Sequence, residues 1–313
     1  MAAPVIGGSG LTGRVVITGA SGFAGRHLAA LCADQEVVGL SRAVCDLRDA
    51  AATRAAIAAA RPAVVYHLAA RAHVGESWRD PHGTLADNLT MALNVLEAVR
   101  AEAPGATVVA VASGEVYGTP EHLPVDETAP LRPQNPYAVS KAAADLLAGM
   151  YADAHGLRVI RARAFNHAGP GQEPTYAIAS FARQAARGAE RIVTGNPDTR
   201  RDYTDVRDVV RAYRLLAERA EPGIYNVCSG RTASSSELVR MLGVEHEVDP
   251  SLLRPHEVME LRGSGDKLRA ATGWEPEYEL ADTLRDTVRW WRDEPAPGRT
   301  AAPRPAPDRS PRS

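Results

Sequence analysis

The stretch that most narrows the possible folds is a strand that runs straight into a glycine turn. Arg14-Val15-Val16-Ile17-Thr18 is a short apolar run rich in β-branched residues. It leads directly into Gly19-Ala20-Ser21-Gly22-Phe23-Ala24-Gly25 and then a helical stretch to about Cys32. A run of this kind reads as a buried strand. Glycines after such a strand let the backbone approach a pyrophosphate, which then rests on the N-terminus of the following helix. A glycine turn can also be plain punctuation between two elements. Its place right after the first strand is what favours the phosphate reading.

The same logic extends down the chain. Residues 36–40 read as a second strand and residues 49–60 as an Ala-rich helix. Residues 63–68 form a further buried strand ending in Ala69-Ala70, small residues that let a ligand lie against the backbone. An amphipathic helix is expected over 88–102, and strands over 107–112 and 157–165. Strands alternating with helices predict an α/β, Rossmann-type doubly wound parallel sheet. Asp46-Leu47 follows the second strand so soon that an extra strand has almost no room. After Phe165 the character changes: a Gly/Pro loop over 166–172 gives way to short, irregular elements up to Trp291. The expected organisation is a flexible lead (1–13), a dinucleotide-binding domain (14–165) and a smaller C-terminal α/β substrate lobe (166–293) interleaved with it. A disordered tail (294–313) of Pro, Ala and Arg without apolar periodicity completes it. No internal repeat is visible.

Candidate chemistry lies beyond the fourth strand. Ser113-Gly114-Glu115-Val116-Tyr117-Gly118 stands at that strand's C-terminal end, where open α/β sheets gather ligands. Further on, Pro136-Tyr137-Ala138-Val139-Ser140-Lys141 puts a Tyr and a Lys four apart, one turn from each other on one helix face. An ammonium beside a phenol is expected to lower its pKa below about 10, so that Tyr137 exchanges a proton near neutrality. A Ser113 hydroxyl could share the same substrate oxygen. The spacing also arises by chance on helices, so the pair gains weight from its company. At the end of the second strand, Ser41-Arg42 replaces the acidic residue of an NAD site with a hydroxyl and a guanidinium. That pair suits a 2′-phosphate, although a solvated surface Arg is the alternative.

Composition removes other classes. A net charge of −2 over 313 residues gives no reason to expect a nucleic-acid or membrane partner. No apolar run approaches the ~20 residues needed to span a bilayer, and the N-terminal residues lack the pattern of a signal peptide. Cys32, Cys45 and Cys228 have no metal-like spacing and fit a reducing cytoplasm. His67 and His73 have no completing Cys or carboxylate, so no metal site is expected, and both read as structural or loop residues.

Together, Gly19, Gly22, Gly25, Ser113, Tyr137 and Lys141 resemble the extended short-chain dehydrogenase/reductase (NAD-dependent epimerase/dehydratase) family, whose members mostly act on nucleotide-sugars. The likeness spans roughly residues 14–293. It includes Phe165-Asn166-His167-Ala168-Gly169-Pro170-Gly171-Gln172, Arg201-Asp202-Tyr203-Thr204-Asp205-Val206-Arg207-Asp208, Arg254-Pro255-His256-Glu257-Val258 and Gly273-Trp274-Glu275-Pro276. Within the family it is most like the branch that reduces GDP-linked 4-keto-6-deoxy sugars in deoxysugar biosynthesis.

The resemblance implies cofactor contacts at Gly19, Ser21, Gly22, Phe23, Gly25, Ser41, Arg42, Asp46, Leu47, Leu68, Ala69 and Ala70, together with Tyr137 and Lys141. It implies Tyr137 as general acid, Lys141 on the nicotinamide ribose and Ser113 on the C4 oxygen. Asn166, Arg201 and Arg254 would take the diphosphate and Glu257 a ribose hydroxyl. It also implies a homodimer built as a four-helix bundle from the helices at 88–102 and 137–155. The short 40–46 connection and Arg42 point to NADP(H), with NAD(H) as the alternative. Dehydratases of the family place an acid/base pair after the Ser. Here Glu115 is present but Gly114 replaces its neighbour, which disfavours dehydration, and Glu115 can equally be a mere polar contact. A dehydratase or epimerase holding NAD tightly, and a non-catalytic NADPH sensor, are the competing readings.

Overall fold

The computed structural model describes residues 13–253 and 257–293. The lead before Gly13, Arg254 and the 294–313 tail lie outside the described residues. The chain opens with β1 (Val15–Thr18), α1 (Phe23–Leu31), β2 (Val37–Leu40), α2 (Ala50–Ala60) and β3 (Val64–His67). Next come α3 (Val74–Arg79), α4 (Pro81–Glu102), β4 (Thr107–Ser113), α5 (Pro136–His155) and β5 (Arg158–Ala164). Beyond the Phe165 break lie β6 (Asn166–Ala168), α6 (Ala177–Ala186), β7 (Arg191–Thr194), β8 (Arg200–Asp205), α7 (Val206–Arg219) and β9 (Gly223–Val227). The remainder is β10 (Thr232–Ser234), α8 (Ser235–Met241), β11 (Glu245–Val248), β12 (Glu260–Leu261), α9 (Asp266–Thr272) and α10 (Leu280–Asp293).

Six strands form one parallel sheet in the order β2-β1-β3-β4-β5-β9. This is the expected Rossmann-type sheet. Both of its faces are covered, which is why its strands read as unbroken apolar runs. Along β1 the side chains alternate between two cores. Val15 and Ile17 pack with Leu28 of α1 and with Val209, Tyr213 and Leu216 of α7. Val16 packs with Ile57 of α2, Val95 and Val99 of α4, and Ala148 and Tyr151 of α5. Strand order reverses at β1, so a ligand crevice opens beyond the C-terminal ends of β1 and β3.

The chain crosses the Phe165 boundary more than once. Both α7 and β9 follow the break yet belong to the main core, β9 as the sixth strand beside β5. The rest of the C-terminal part builds a mixed sheet in which β8 carries β6, β10 and β12, plus the pair β7–β11.

One local expectation needs correction. The helix expected over 88–102 starts earlier, at Pro81, and α3 precedes it. Pro81 and Gly83 look like breakers, but Pro is tolerated in the first helical position. The Asp80 carboxylate caps the end by accepting from Gly83 N at 2.9 Å.

Candidate functional site

The glycine loop is packed backbone on backbone. Gly19 has φ +69°, and a Cβ there would stand 3.0 Å from the backbone of Ala69. A Cβ on Gly25 would be 2.2 Å from Gly19 O. No side chain larger than hydrogen fits either position, which leaves the N-terminus of α1 open to a phosphate. The loop is also tied to the later 166–172 segment. Arg26 donates to Ser21 O at 2.6 Å and to Gly171 O at 3.0 Å, and His27 Nε2 donates to Pro170 O at 2.9 Å. The Phe23 ring lies parallel to His167, centroids 6.0 Å apart.

At the end of β2, Ser41 is half-buried and Arg42 exposed. The Arg42 guanidinium has no hydrogen-bond partner among the described residues. Asp46 is grasped by Arg48 at 2.6 and 2.9 Å, which holds its carboxyl down at about 2. The Leu47 side chain lies in the core, and its carbonyl accepts from Asn94 Nδ2 at 2.8 Å. Leu68, Ala69 and Ala70 are partly buried beyond β3, with Ala69 N donating to Thr18 Oγ1 at 3.2 Å. His67 is a core residue of β3, bonded to Thr18 Oγ1 at 2.9 Å and pushed down to about 3 by burial and by Lys141. His73 caps α3, its Nδ1 accepting from Glu76 N at 3.1 Å.

Ser113 and Tyr137 are brought together from the end of β4 and the first turn of α5. Ser113 Oγ accepts from Glu115 N at 3.2 Å, capping the short turn Gly114–Tyr117. Its hydroxyl also hydrogen-bonds Tyr137. The Tyr137 turn is braced on several sides. Asn135 Oδ1 accepts from Ala138 N at 2.7 Å, while Asn135 Nδ2 donates to Glu115 Oε2 at 3.3 Å. Ser140 donates to Tyr137 O at 2.7 Å and accepts from Asn88 Nδ2 of α4 at 2.8 Å.

The expected lowering of the Tyr137 pKa is not what the structure gives. Burial pushes the phenol above its ordinary value, and the Tyr176 phenol and Glu115 carboxylate add to the rise. The Ser113 hydrogen bond opposes it without reversing it. Desolvation of the phenolate is the largest influence, and Lys141, one turn away, is not among the groups that shift it. Tyr137 is therefore held neutral, the form that can give a proton. Burial pulls Lys141 down to about 8, against the opposing charge of Asp145.

Around this pair stand residues that local sequence reasoning did not single out. Tyr176, at the start of α6, lies near enough to act on Tyr137. Tyr203 of β8 feels both Arg201 and Glu115. Tyr203 could have been found through its Arg-Asp-aromatic motif, whereas Tyr176 stands in a generic segment. Gly114 is flat against Phe165, with room for a Cβ only at 2.9 Å from the ring.

The substrate-side residues are more dispersed. Asn166 is exposed at the start of β6, and Arg201 is half-buried with Nη1 donating to Arg200 O at 2.9 Å. Glu257 is half-buried ahead of β12. The three aspartates of the β8–α7 motif turn to architecture. Asp202 accepts from Ser229 N and Gly230 N, both at 2.9 Å, Asp205 caps α7, and Asp208 accepts from Glu277 N and Tyr278 N at 3.0 Å.

This geometry has counterparts among known proteins. A family model described as GDP-mannose 4,6 dehydratase matches residues 41–287. The chain is 39% identical to GDP-6-deoxy-D-mannose reductase of Pseudomonas aeruginosa, covering 90% of this chain and 98% of that protein. Among solved structures it is similar to RMD from Pseudomonas aeruginosa complexed with NADPH, with TM-score 0.80, 38% identity, and 90% and 99% of the two chains covered. It is also similar to Thermus thermophilus UDP-glucose 4-epimerase in complex with NAD, with TM-score 0.82, 33% identity and the same 90% and 99% coverage.

Proposed function

Because the chain belongs to the GDP-mannose 4,6-dehydratase family of extended short-chain dehydrogenases/reductases, we propose that it is an NADPH-dependent reductase. Its substrate in this reading is the C4 keto group of a GDP-4-keto-6-deoxy-hexose, in keeping with the relative named GDP-6-deoxy-D-mannose reductase. The observation that carries the choice is Gly114. A dehydratase needs a second proton donor beside Glu115, and a side chain at 114 would run into the Phe165 ring. One acid next to Ser113 suffices for reduction, whereas elimination with Glu115 alone is disfavoured.

When bound, NADPH supplies the hydride that reduces the carbonyl. The packed glycine loop suits its pyrophosphate, and Ser41 and Arg42 suit its 2′-phosphate. Ser113 hydrogen-bonds the C4 oxygen and holds it toward Tyr137. Tyr137, kept neutral by burial, delivers the proton as negative charge develops on that oxygen. Lys141 holds the nicotinamide ribose and places positive charge beside the phenol as it turns to phenolate. Gly19, Ser21, Gly22, Phe23, Gly25, Asp46, Leu47, Leu68, Ala69 and Ala70 would line the cofactor. Asn166, Arg201, Arg254 and Glu257 take the nucleotide diphosphate and its ribose.

The decisive experiment is to denature the purified protein, identify any released nicotinamide nucleotide, and follow absorbance with NADPH and GDP-4-keto-6-deoxy-mannose. Stoichiometric NADPH consumption from an initially empty site supports the reductase. Bound NAD with no net consumption would replace it with a dehydratase or epimerase in which Glu115 is the base. Arg42→Asp is expected to move preference from NADPH to NADH, because a carboxylate repels the 2′-phosphate. An unchanged ratio of kcat/KM for the two cofactors would refute that role.

The same reading makes the protein a cytoplasmic homodimer. Its three cysteines are buried and free, and no helix among the described residues is long and apolar enough to cross a membrane. Helices α4 and α5 pack side by side. Leu85, Leu89 and Leu93 of α4 and Val139, Leu146 and Met150 of α5 are exposed, an apolar face suited to pairing with its own copy. Leu146 is 58% exposed, so Leu146→Arg is expected to leave the fold intact and shift the protein to monomer in analytical ultracentrifugation. A dimer that survived it would argue against a four-helix bundle at this face.

A further inference from the structure

Lys141 is only 5% exposed, yet its ammonium has no hydrogen bond or ion pair among the described residues. An isolated buried ammonium is costly and tends to lose its proton. One turn further along α5 stands Asp145, whose side chain is completely buried. Tyr137, Lys141 and Asp145 are spaced by four, so they share one face of the helix. Lys141 and Asp145 line the same small cavity with His67, Ala69 and Asn88. Asp145 Oδ2 accepts from Arg163 Nη2 of β5 at 2.8 Å and lies 3.6 Å from Arg161 Nη1. Its other oxygen, Oδ1, is buried with no hydrogen-bond partner.

Among the described residues that line this cavity, Asp145 is the one carboxylate. From β3 comes His67, neutral and bonded to Thr18, and from α4 comes Asn88, bonded to Ser140. The β4 residues lining the cavity, Ala110 to Ala112, carry no charge. Strand β5 supplies Arg161 and Arg163, both turned to Asp145, and α5 itself supplies Tyr137, held neutral.

We propose that Asp145, pinned by Arg163, is a positioning residue for the reaction: it supplies the buried negative charge that keeps the Lys141 ammonium protonated beside Tyr137. This rests on the role given above to Lys141. The charge balance agrees, since Asp145 is the group that opposes the effect of burial on Lys141. An opposite charge within about 4–6 Å favours the charged form of a neighbour. A purely architectural Asp145 would brace Arg163 and leave the titration of Lys141 alone.

The test is the alkaline limb of kcat/KM for the keto sugar at saturating NADPH. Asp145→Asn keeps the shape and an acceptor for Arg163 while removing the charge. The limb is expected to move down by about one pH unit, so activity falls about fivefold at pH 8 but less than twofold at pH 6.5. Asp145→Glu should restore it in part. An unmoved limb, or a loss equal at every pH, overturns the proposal. Lys141→Arg separates the two readings, because a guanidinium does not titrate in this range. If the limb persists in Lys141→Arg, the role of Lys141 fails. If it vanishes there while Asp145→Asn leaves the wild-type limb in place, only the role of Asp145 fails. Should Asp145→Asn not fold, Arg161→Gln carries the test with the opposite sign. Removing the cation 3.6 Å from Asp145 should raise the limb, and an unmoved limb counts against the proposal.

Discussion

Tyr137→Phe is expected to bind NADPH with unchanged affinity and to lose about 10²- to 10⁴-fold in kcat, the range for a lost general acid. The reason is local. Phe keeps the ring that fills the first turn of α5 and deletes only the hydroxyl that meets Ser113. The Asn135 cap and the Ser140 contact use the backbone of this turn and survive the change. Fluorescence titration with NADPH checks binding, and the absorbance assay checks turnover. Wild-type turnover in Tyr137→Phe would remove the proposed proton donor. Because burial raises the phenol pKa, the wild-type enzyme should not lose activity near neutral pH through ionisation of Tyr137. On the alkaline side the earlier loss belongs to Lys141, which gives up its proton as pH rises through about 8.

The second large effect is on stability. Arg163→Met is expected to destabilise the fold by about 3–5 kcal/mol, since it leaves the buried Asp145 carboxylate without its hydrogen-bonded partner and with only the longer 3.6 Å contact to Arg161. Arg163 is 3% exposed and its Nη1 donates to the Tyr117 hydroxyl at 2.9 Å. Tyr117 donates in turn to Asn226 Oδ1 at 2.7 Å, and Asn226 Nδ2 reaches Val125 O at 3.0 Å. One guanidinium thus links α5, β5, β9 and the loop after β4. Urea unfolding of the variant against wild type reads the effect. A loss below about 1 kcal/mol would mean that the pair adds little. Combining Arg163→Met with Asp145→Leu should recover much of the loss, because replacing both ions with apolar groups removes the stranded charge.

Much of the framework was legible in the chain because it rests on local rules. β-Branched runs make strands, glycine after β1 makes the tight turn into α1, and a spacing of four puts Tyr137 over Lys141. The early start of α4 was missed because Pro81 and Gly83 resemble breakers, and only the Asp80 cap shows otherwise. The return of α7 and β9 to the main sheet was hidden by the loop after Phe165, since sheet neighbours far apart in sequence leave no local periodicity.

The sequence by itself determined the alternation of strands and helices up to Phe165, the glycine loop and the helical pairing of Tyr137 with Lys141, all consequences of backbone geometry within a few residues. Only the tertiary structure decided that Ser113 meets Tyr137, that Tyr176 and Tyr203 face the same site, and that Phe165 closes off Gly114. It also decided the sign of the Tyr137 shift. Desolvation depends on every atom that excludes water from a group, and those atoms come from strands and helices distant in the chain.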